Sequence, residues 1–232
     1  MNDEEYIKDL EKTIGKFLEP IKGIPFHIAI KAVYGKEVFK FDREDEKNEE
    51  LIDDLAKAAE IAGKNASQHG IFTNRPNEAG NKIADYAKIA LKQLGLKPET
   101  PKRVDGKRQA TGYPDTCLRD KYERYIYLEY KTYASKTIDS TQRTFYFSPP
   151  PEKSKSKIIY DIPHLMLSFE MNRAIISGKE CYIPIGWKIV DLYYIKVDVK
   201  HEFNTNNREL YKREAIIREG GLQSYRPSLA SY

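Results

Sequence analysis

The stretch that most constrains this chain is residues 111–133, TGYPDTCLRDKYERYIYLEYKTY. Its second half, 124–133, is dense in tyrosine and isoleucine and alternates with period two, which predicts a strand. Successive side chains of a strand point to opposite faces, so Glu129 and Lys131 share one face with Tyr125, Tyr127 and Tyr133. Ile126, Leu128, Tyr130 and Thr132 take the other face. Asp115 lies fourteen residues before Glu129, and the polar segment Arg119–Arg124 can turn the chain back. A hairpin of that length sets Asp115 beside Glu129.

Two carboxylates and a lysine converging on one strand pair have a clear chemical use. The acids are hard oxygen ligands suited to Mg²⁺, which is held through one or two carboxylates plus water and substrate phosphate. Such a metal lowers the pKa of a bound water and neutralises charge building on the phosphate. A lysine near the same phosphate orients the attacking water and stabilises the charged transition state. The plainer alternative is an exposed strand carrying a Glu–Lys pair.

Around this hairpin the chain reads as helices first and strands later. Residues 3–19 carry Tyr6, Leu10, Ile14, Phe17 and Leu18 at helical spacing. The run from Phe26 to Val33 suits either a strand or a buried helix. Residues 48–62 predict a helix with Leu51, Leu55, Ala58, Ala59 and Ala62 as its apolar stripe. Residues 77–94 predict another, with Ile83, Ala87, Ala90 and Leu94 buried and Gly95 as its stop. A Lys/Pro/Thr-rich connector follows at 97–108, and 149–157, PPPEKSKSK, reads as a polar, proline-stiffened loop. A helix is expected over 162–176, around HLMLSFEMNRAII, and the longest β-like stretch over 187–199. The last dozen residues read as a loop or tail. This order predicts an α/β (α+β mixed) fold, a central mixed β-sheet flanked by helices. At 232 residues one domain is expected, with a helical part at 1–95, the hairpin at 110–133 and a strand and helix part at 134–232.

Composition narrows the setting. Hydrophobic residues at 40% and charged residues at 32% exclude a collagen, a wholly disordered tail or a linker protein. No window of about 18 residues is apolar and uncharged, so neither a transmembrane helix nor a membrane partner is expected. The opening Met-Asn-Asp-Glu-Glu is acidic where a signal peptide is basic and then apolar. Two cysteines, Cys117 and Cys181, make no disulfide framework and fit a reducing cytoplasm. The net charge of +4 says little by itself. Its distribution says more: the first 60 residues are rich in acid, while Lys102, Arg103, Lys107 and Arg108 cluster, as do Arg208, Lys212, Arg213 and Arg218. These sets suit a basic cleft for a polyanion, or solvated loops.

Pro114-Asp115 followed by Glu129-Tyr130-Lys131 resembles the PD-(D/E)xK motif of the restriction-endonuclease-like nucleases. Residues 73–95, TNRPNEAGNKIADYAKIALKQLG, resemble the R-x-N-E-x-G-N helix found upstream of that motif in a number of type II restriction endonucleases. The resemblance implies a restriction-endonuclease-like core and Mg²⁺-dependent cleavage of double-stranded DNA at a short, palindromic site by a homodimer. It implies products with 5′-phosphates and 3′-hydroxyls. Asp115 and Glu129 would hold the metal with the main-chain carbonyl of Tyr130, Lys131 would assist, and Glu78 matches the helix glutamate that points toward the metal. Locally, Glu78 also complements the positive end of a helix beginning at Pro76 and Asn77. Asn81, one turn on, either touches DNA or bonds locally, and Lys102, Arg103, Lys107 and Arg108 are the expected phosphate contacts.

Other chemistries find little support. His27, His69, His164 and His201 show no i+3 or i+4 pairing, so no zinc site is expected, and His164 reads as a helix-start or core histidine. G-x-S-x-G, P-loop and G-x-G-x-x-G motifs are absent. Two alternatives stay open: a structure-specific repair or recombination nuclease with the same core, and a nucleic-acid-binding module whose acidic cluster is incidental.

Overall fold

The structure, a computed structural model, describes residues 3–19, 21–73, 76–134, 136, 145–200, 207–210 and 212–214. The elements run α1 (Asp3–Phe17), β1 (Ile24–Pro25), α2 (Phe26–Tyr34), β2 (Val38–Phe39), α3 (Glu46–His69), α4 (Pro76–Gln93), β3 (Lys97–Glu99), β4 (Thr116–Arg119), β5 (Tyr125–Tyr133), β6 (Ile162–Ile176), β7 (Lys179–Asp191), β8 (Lys196–Val197) and α5 (Asn207–Leu210). Lys22–Asp198 make one compact unit, and the chain ends, Met1–Ile21 with Val199–Tyr232, make another.

Within the larger unit, a six-stranded sheet runs in the order β2-β6-β5-β4-β3, with β7 also paired to β6. β6 is parallel to β2 and β5, and the remaining pairs are antiparallel, so the sheet is mixed as expected. The alternation of β5 divides the core in two. Ile126, Leu128 and Tyr130 join α3 and α4 in one cluster with Leu118, Leu165, Leu167 and Phe169. Tyr127 faces the other way, into a smaller aromatic cluster with Phe26, Tyr113 and Ile158. Leu118, Leu128 and Leu167 are fully buried, and each such leucine contributes roughly 2–3 kcal/mol through apolar burial.

The helices follow their stripes. α3 buries Leu51, Leu55, Ala58, Ala59 and Ala62, and the Asp45 carboxylate caps it by accepting the Asn48 N–H at 3.0 Å. α4 buries Ile83, Ala87 and Ala90, and Gly95 follows it at φ 81°. The ambiguous run at 26–33 is a helix, α2, closed by Gly35 in the left-handed conformation.

The helix expected over 162–176 is instead the central strand, β6. Its leucines, methionines and glutamate favour a helix in isolation. Pairing along both edges overrides that preference, and Leu165, Leu167, Phe169 and Met171 alternate onto the helix-covered face. The strand expected at 187–199 is displaced as well. β7 starts at Lys179 because Ser177 and Gly178, both at positive φ, turn β6 straight back on itself. The 97–108 connector contains β3 and an isolated bridge between Lys102 and Arg108. The polar loop at 149–157 is not solvated throughout, since Ser156 and Lys157 are buried. His164 lies in β6, not at a helix start, and is fully buried. Arg75, His201, Arg218 and the last dozen residues lie outside the described residues. Among the described residues no helix is long and apolar enough to cross a membrane.

Candidate active site

The antiparallel register of β4 and β5 pairs Thr116 with Leu128, which leaves Asp115 opposite Glu129. Asp120 makes that turn possible: its carboxylate accepts the N–H groups of Tyr122 and Arg124 and pairs with the Arg124 guanidinium at 2.8 Å. The two acids then hold each other through the backbone. The Asp115 N–H donates to Glu129 Oε2 at 3.2 Å, and the Tyr130 N–H donates to Asp115 Oδ2 at 3.0 Å. Lys131 Nζ lies 2.7 Å from Glu129 Oε1 and 5.7 Å from the centre of the Phe145 ring. Asp115, Glu129 and Lys131 are therefore one cluster, on the sheet face away from α3 and α4.

Glu129 is only 4% exposed. Burial and the neighbouring Asp115 charge push its pKa up to about 7, against the opposing pull of Lys131. Among the described residues only Lys131 lies within salt-bridge distance of either carboxylate. The donors are hard oxygens, which fits Mg²⁺, and the Tyr130 carbonyl follows Glu129 directly.

Glu78 is exposed on the first turn of α4. Among the described residues no hydrogen bond or ion pair joins it to Asp115, Glu129 or Lys131. The same helix end nevertheless approaches β5, where a Cβ built on Gly80 would lie 3.6 Å from Thr132 Oγ1. Asn81 is exposed beside it. The basic stretch is partly neutralised from within: Arg103 pairs with Asp105, and Arg108 with Glu99 at 3.5 Å, while Lys102 and Lys107 are exposed. In the smaller unit, Lys212 pairs with Glu209 at 3.3 Å.

One lysine near the acids escapes a reading of the sequence. Lys157 is buried, and its ammonium donates to the carbonyls of Thr111 and Gly112, in the turn that leads to Asp115. Burial lowers its pKa to about 8, while Asp115 and Glu129 pull it back up and Lys88 adds repulsion. His164 is held neutral by burial, and its Nδ1 lies within hydrogen-bond distance of the Tyr113 hydroxyl, at 2.6 Å. The signal for Lys157 is absent from PPPEKSKSK itself, where it is one of three lysines in a polar run.

The family model for the type II restriction enzyme MjaV family matches residues 20–214 of the chain. The type II restriction enzyme MjaV of Methanocaldococcus jannaschii is 39% identical over 235 residues, covering 96% of this chain and 100% of that protein. No solved structure matches the chain.

Proposed function

The chain belongs to the type II restriction enzyme MjaV family, and on that premise we propose that it is a Mg²⁺-dependent endonuclease cutting double-stranded DNA at a short palindromic site. The observation that carries the catalytic assignment is the reciprocal backbone tethering of Asp115 and Glu129, with Lys131 in contact with Glu129. Asp115, Glu129 and the Tyr130 carbonyl would hold the metal. When bound, Mg²⁺ supplies a water of lowered pKa and positive charge against the phosphate. The chain's own residues do the rest. The Tyr130 N–H fixes the Asp115 carboxylate, and the Asp115 N–H fixes that of Glu129, so neither acid must reorganise during reaction. Lys131 presents an ammonium from the same face to the attacking water and the scissile phosphate. Glu78, at the helix end beside Thr132, supports the centre from the side, and Asn81, Lys102, Arg103, Lys107 and Arg108 contribute contacts to DNA. The core that carries this chemistry lies within Lys22–Asp198. The enzyme works in the cytoplasm, where its DNA substrate is found.

Sequencing the ends of plasmid fragments tests this reading. Expected are breaks at one short sequence that reads identically on both strands, with ends that a ligase rejoins without prior phosphorylation. Breaks scattered through the plasmid, or confined to branched DNA, would favour a structure-specific nuclease instead.

A palindrome is two-fold symmetric, and a C2 homodimer with one site per strand reads and cuts it most simply. α1 offers a surface for that pairing. Ile7, Leu10, Ile14 and Phe17 recur at heptad a and d spacing, and Ile7, Leu10 and Phe17 are 52%, 44% and 69% exposed. Its first half carries Asp3, Glu4, Glu5 and Asp9 against one Lys8, and its second Lys12 and Lys16 against one Glu11, so an antiparallel pair of α1 helices sets a net acidic half against a net basic one. Leu10→Glu combined with Phe17→Glu is expected to turn a sedimenting dimer into a folded monomer with the parent's far-UV circular dichroism. A variant that still sediments as a dimer would move the interface elsewhere, and a monomeric parent would overturn the homodimer.

A further inference from the structure

We propose that Lys157 is a positioning residue for the carboxylate pair, its buried ammonium clamping the Thr111–Gly112 turn that delivers Asp115 to Glu129. This rests on the nuclease reading of the Asp115–Glu129 site and adds a second lysine to it. Three contacts make a continuous chain from the catalytic strand back to the acid. Tyr127, two residues before Glu129 on the same face of β5, donates its hydroxyl to the Lys157 carbonyl at 3.1 Å and accepts the Ile159 N–H at 2.8 Å. The backbone at Lys157 is thereby pinned to the strand that carries Glu129 and Lys131. From there the Lys157 side chain reaches across to the Thr111 and Gly112 carbonyls. Tyr113, the next residue, is tied to β6 through His164. The turn entering Asp115 is thus held at two points by the segment leading into and beginning β6.

A purely structural role explains this lysine poorly. It makes no ion pair within salt-bridge distance among the described residues, and burying an ammonium without one disfavours the fold. An apolar side chain of the same length would pack there without that cost. What the ammonium adds is two donors on one turn and a positive charge toward Asp115 and Glu129, the direction in which those groups act on it.

The test compares the full-length parent, Lys157→Met and Lys157→Arg in single-turnover cleavage of plasmid DNA across a Mg²⁺ titration, with melting temperatures measured alongside. Lys157→Met should lower the plateau rate at saturating Mg²⁺ at least tenfold while its melting temperature stays level or rises. Lys157→Arg, which keeps charge and donors, should recover a substantial part of the rate. A plateau rate for Lys157→Met within twofold of the parent would overturn the proposal. So would a loss accompanied by a clear fall in melting temperature, or a Lys157→Arg variant as slow as Lys157→Met. Glu129→Gln serves as the control: an active Glu129→Gln variant would sink the site assignment itself, independently of what Lys157 does.

Discussion

Glu129→Gln is expected to lower DNA cleavage by at least about 10³-fold, a loss of ~4 kcal/mol in transition-state stabilisation. The amide keeps the shape and can still accept the Asp115 N–H, but it removes half of the anionic ligand set a Mg²⁺ site needs. The same change should stabilise the metal-free protein at alkaline pH, and the sign follows from the raised pKa. In the unfolded chain Glu129 titrates near the ordinary glutamate value; in the folded site it titrates at about 7. The stability tied to its neutral form is complete below the unfolded pKa and is lost as pH rises through the folded one. Above pH 7 the folded protein therefore carries a buried charge that glutamine would not. Glu129→Gln should melt higher than the parent at pH 8, by an amount on the order of 2 kcal/mol, and the gap should close toward pH 5. Thermal melts at the two pH values in EDTA check this, and a variant that melts lower at pH 8 would contradict the assigned strain. Loss of activity with a gain in stability is the signature of a residue placed for chemistry.

Lys131→Met should reduce the single-turnover rate by about 10²–10³-fold, the usual consequence of removing one charge-stabilising group from the transition state. The competing view, that Lys131 is only the salt-bridge partner of Glu129, makes a different forecast. Its side chain is 28% exposed but that of Glu129 only 5%, so losing a purely structural partner would leave a buried carboxylate unpaired, at a cost of about 3–5 kcal/mol of stability and no activity. Rate and melting temperature measured on one preparation separate the two. A rate near the parent's with a clear fall in melting temperature would reduce Lys131 to a structural partner of Glu129.

The core of the site was legible in the sequence because its geometry is set by short-range rules. Period-two alternation alone puts Glu129 and Lys131 on one face, and the number of residues between Asp115 and Glu129 suits a tight hairpin, which β4 and β5 form. The parts that were not legible depend on distant partners. Leu165, Leu167, Phe169 and Met171 do alternate, but they sit among good helix formers, and only strands on both edges make β6 a strand. Lys157 looks like any lysine of a soluble loop until Tyr127 draws its backbone under the sheet. In the basic stretch at 102–108 the sequence does not show that Asp105 and Glu99 pair with two of its four cations.

Incubation of plasmid DNA with the parent protein and with Asp115→Asn, in Mg²⁺ and in EDTA, tests most directly whether the Asp115–Glu129 pair is a metal-dependent nuclease centre. A catalytic role for the pair predicts discrete fragments from the parent in Mg²⁺, and intact plasmid from the parent in EDTA and from Asp115→Asn in both. Cleavage by the parent in EDTA, or by Asp115→Asn at the parent's rate, would contradict it.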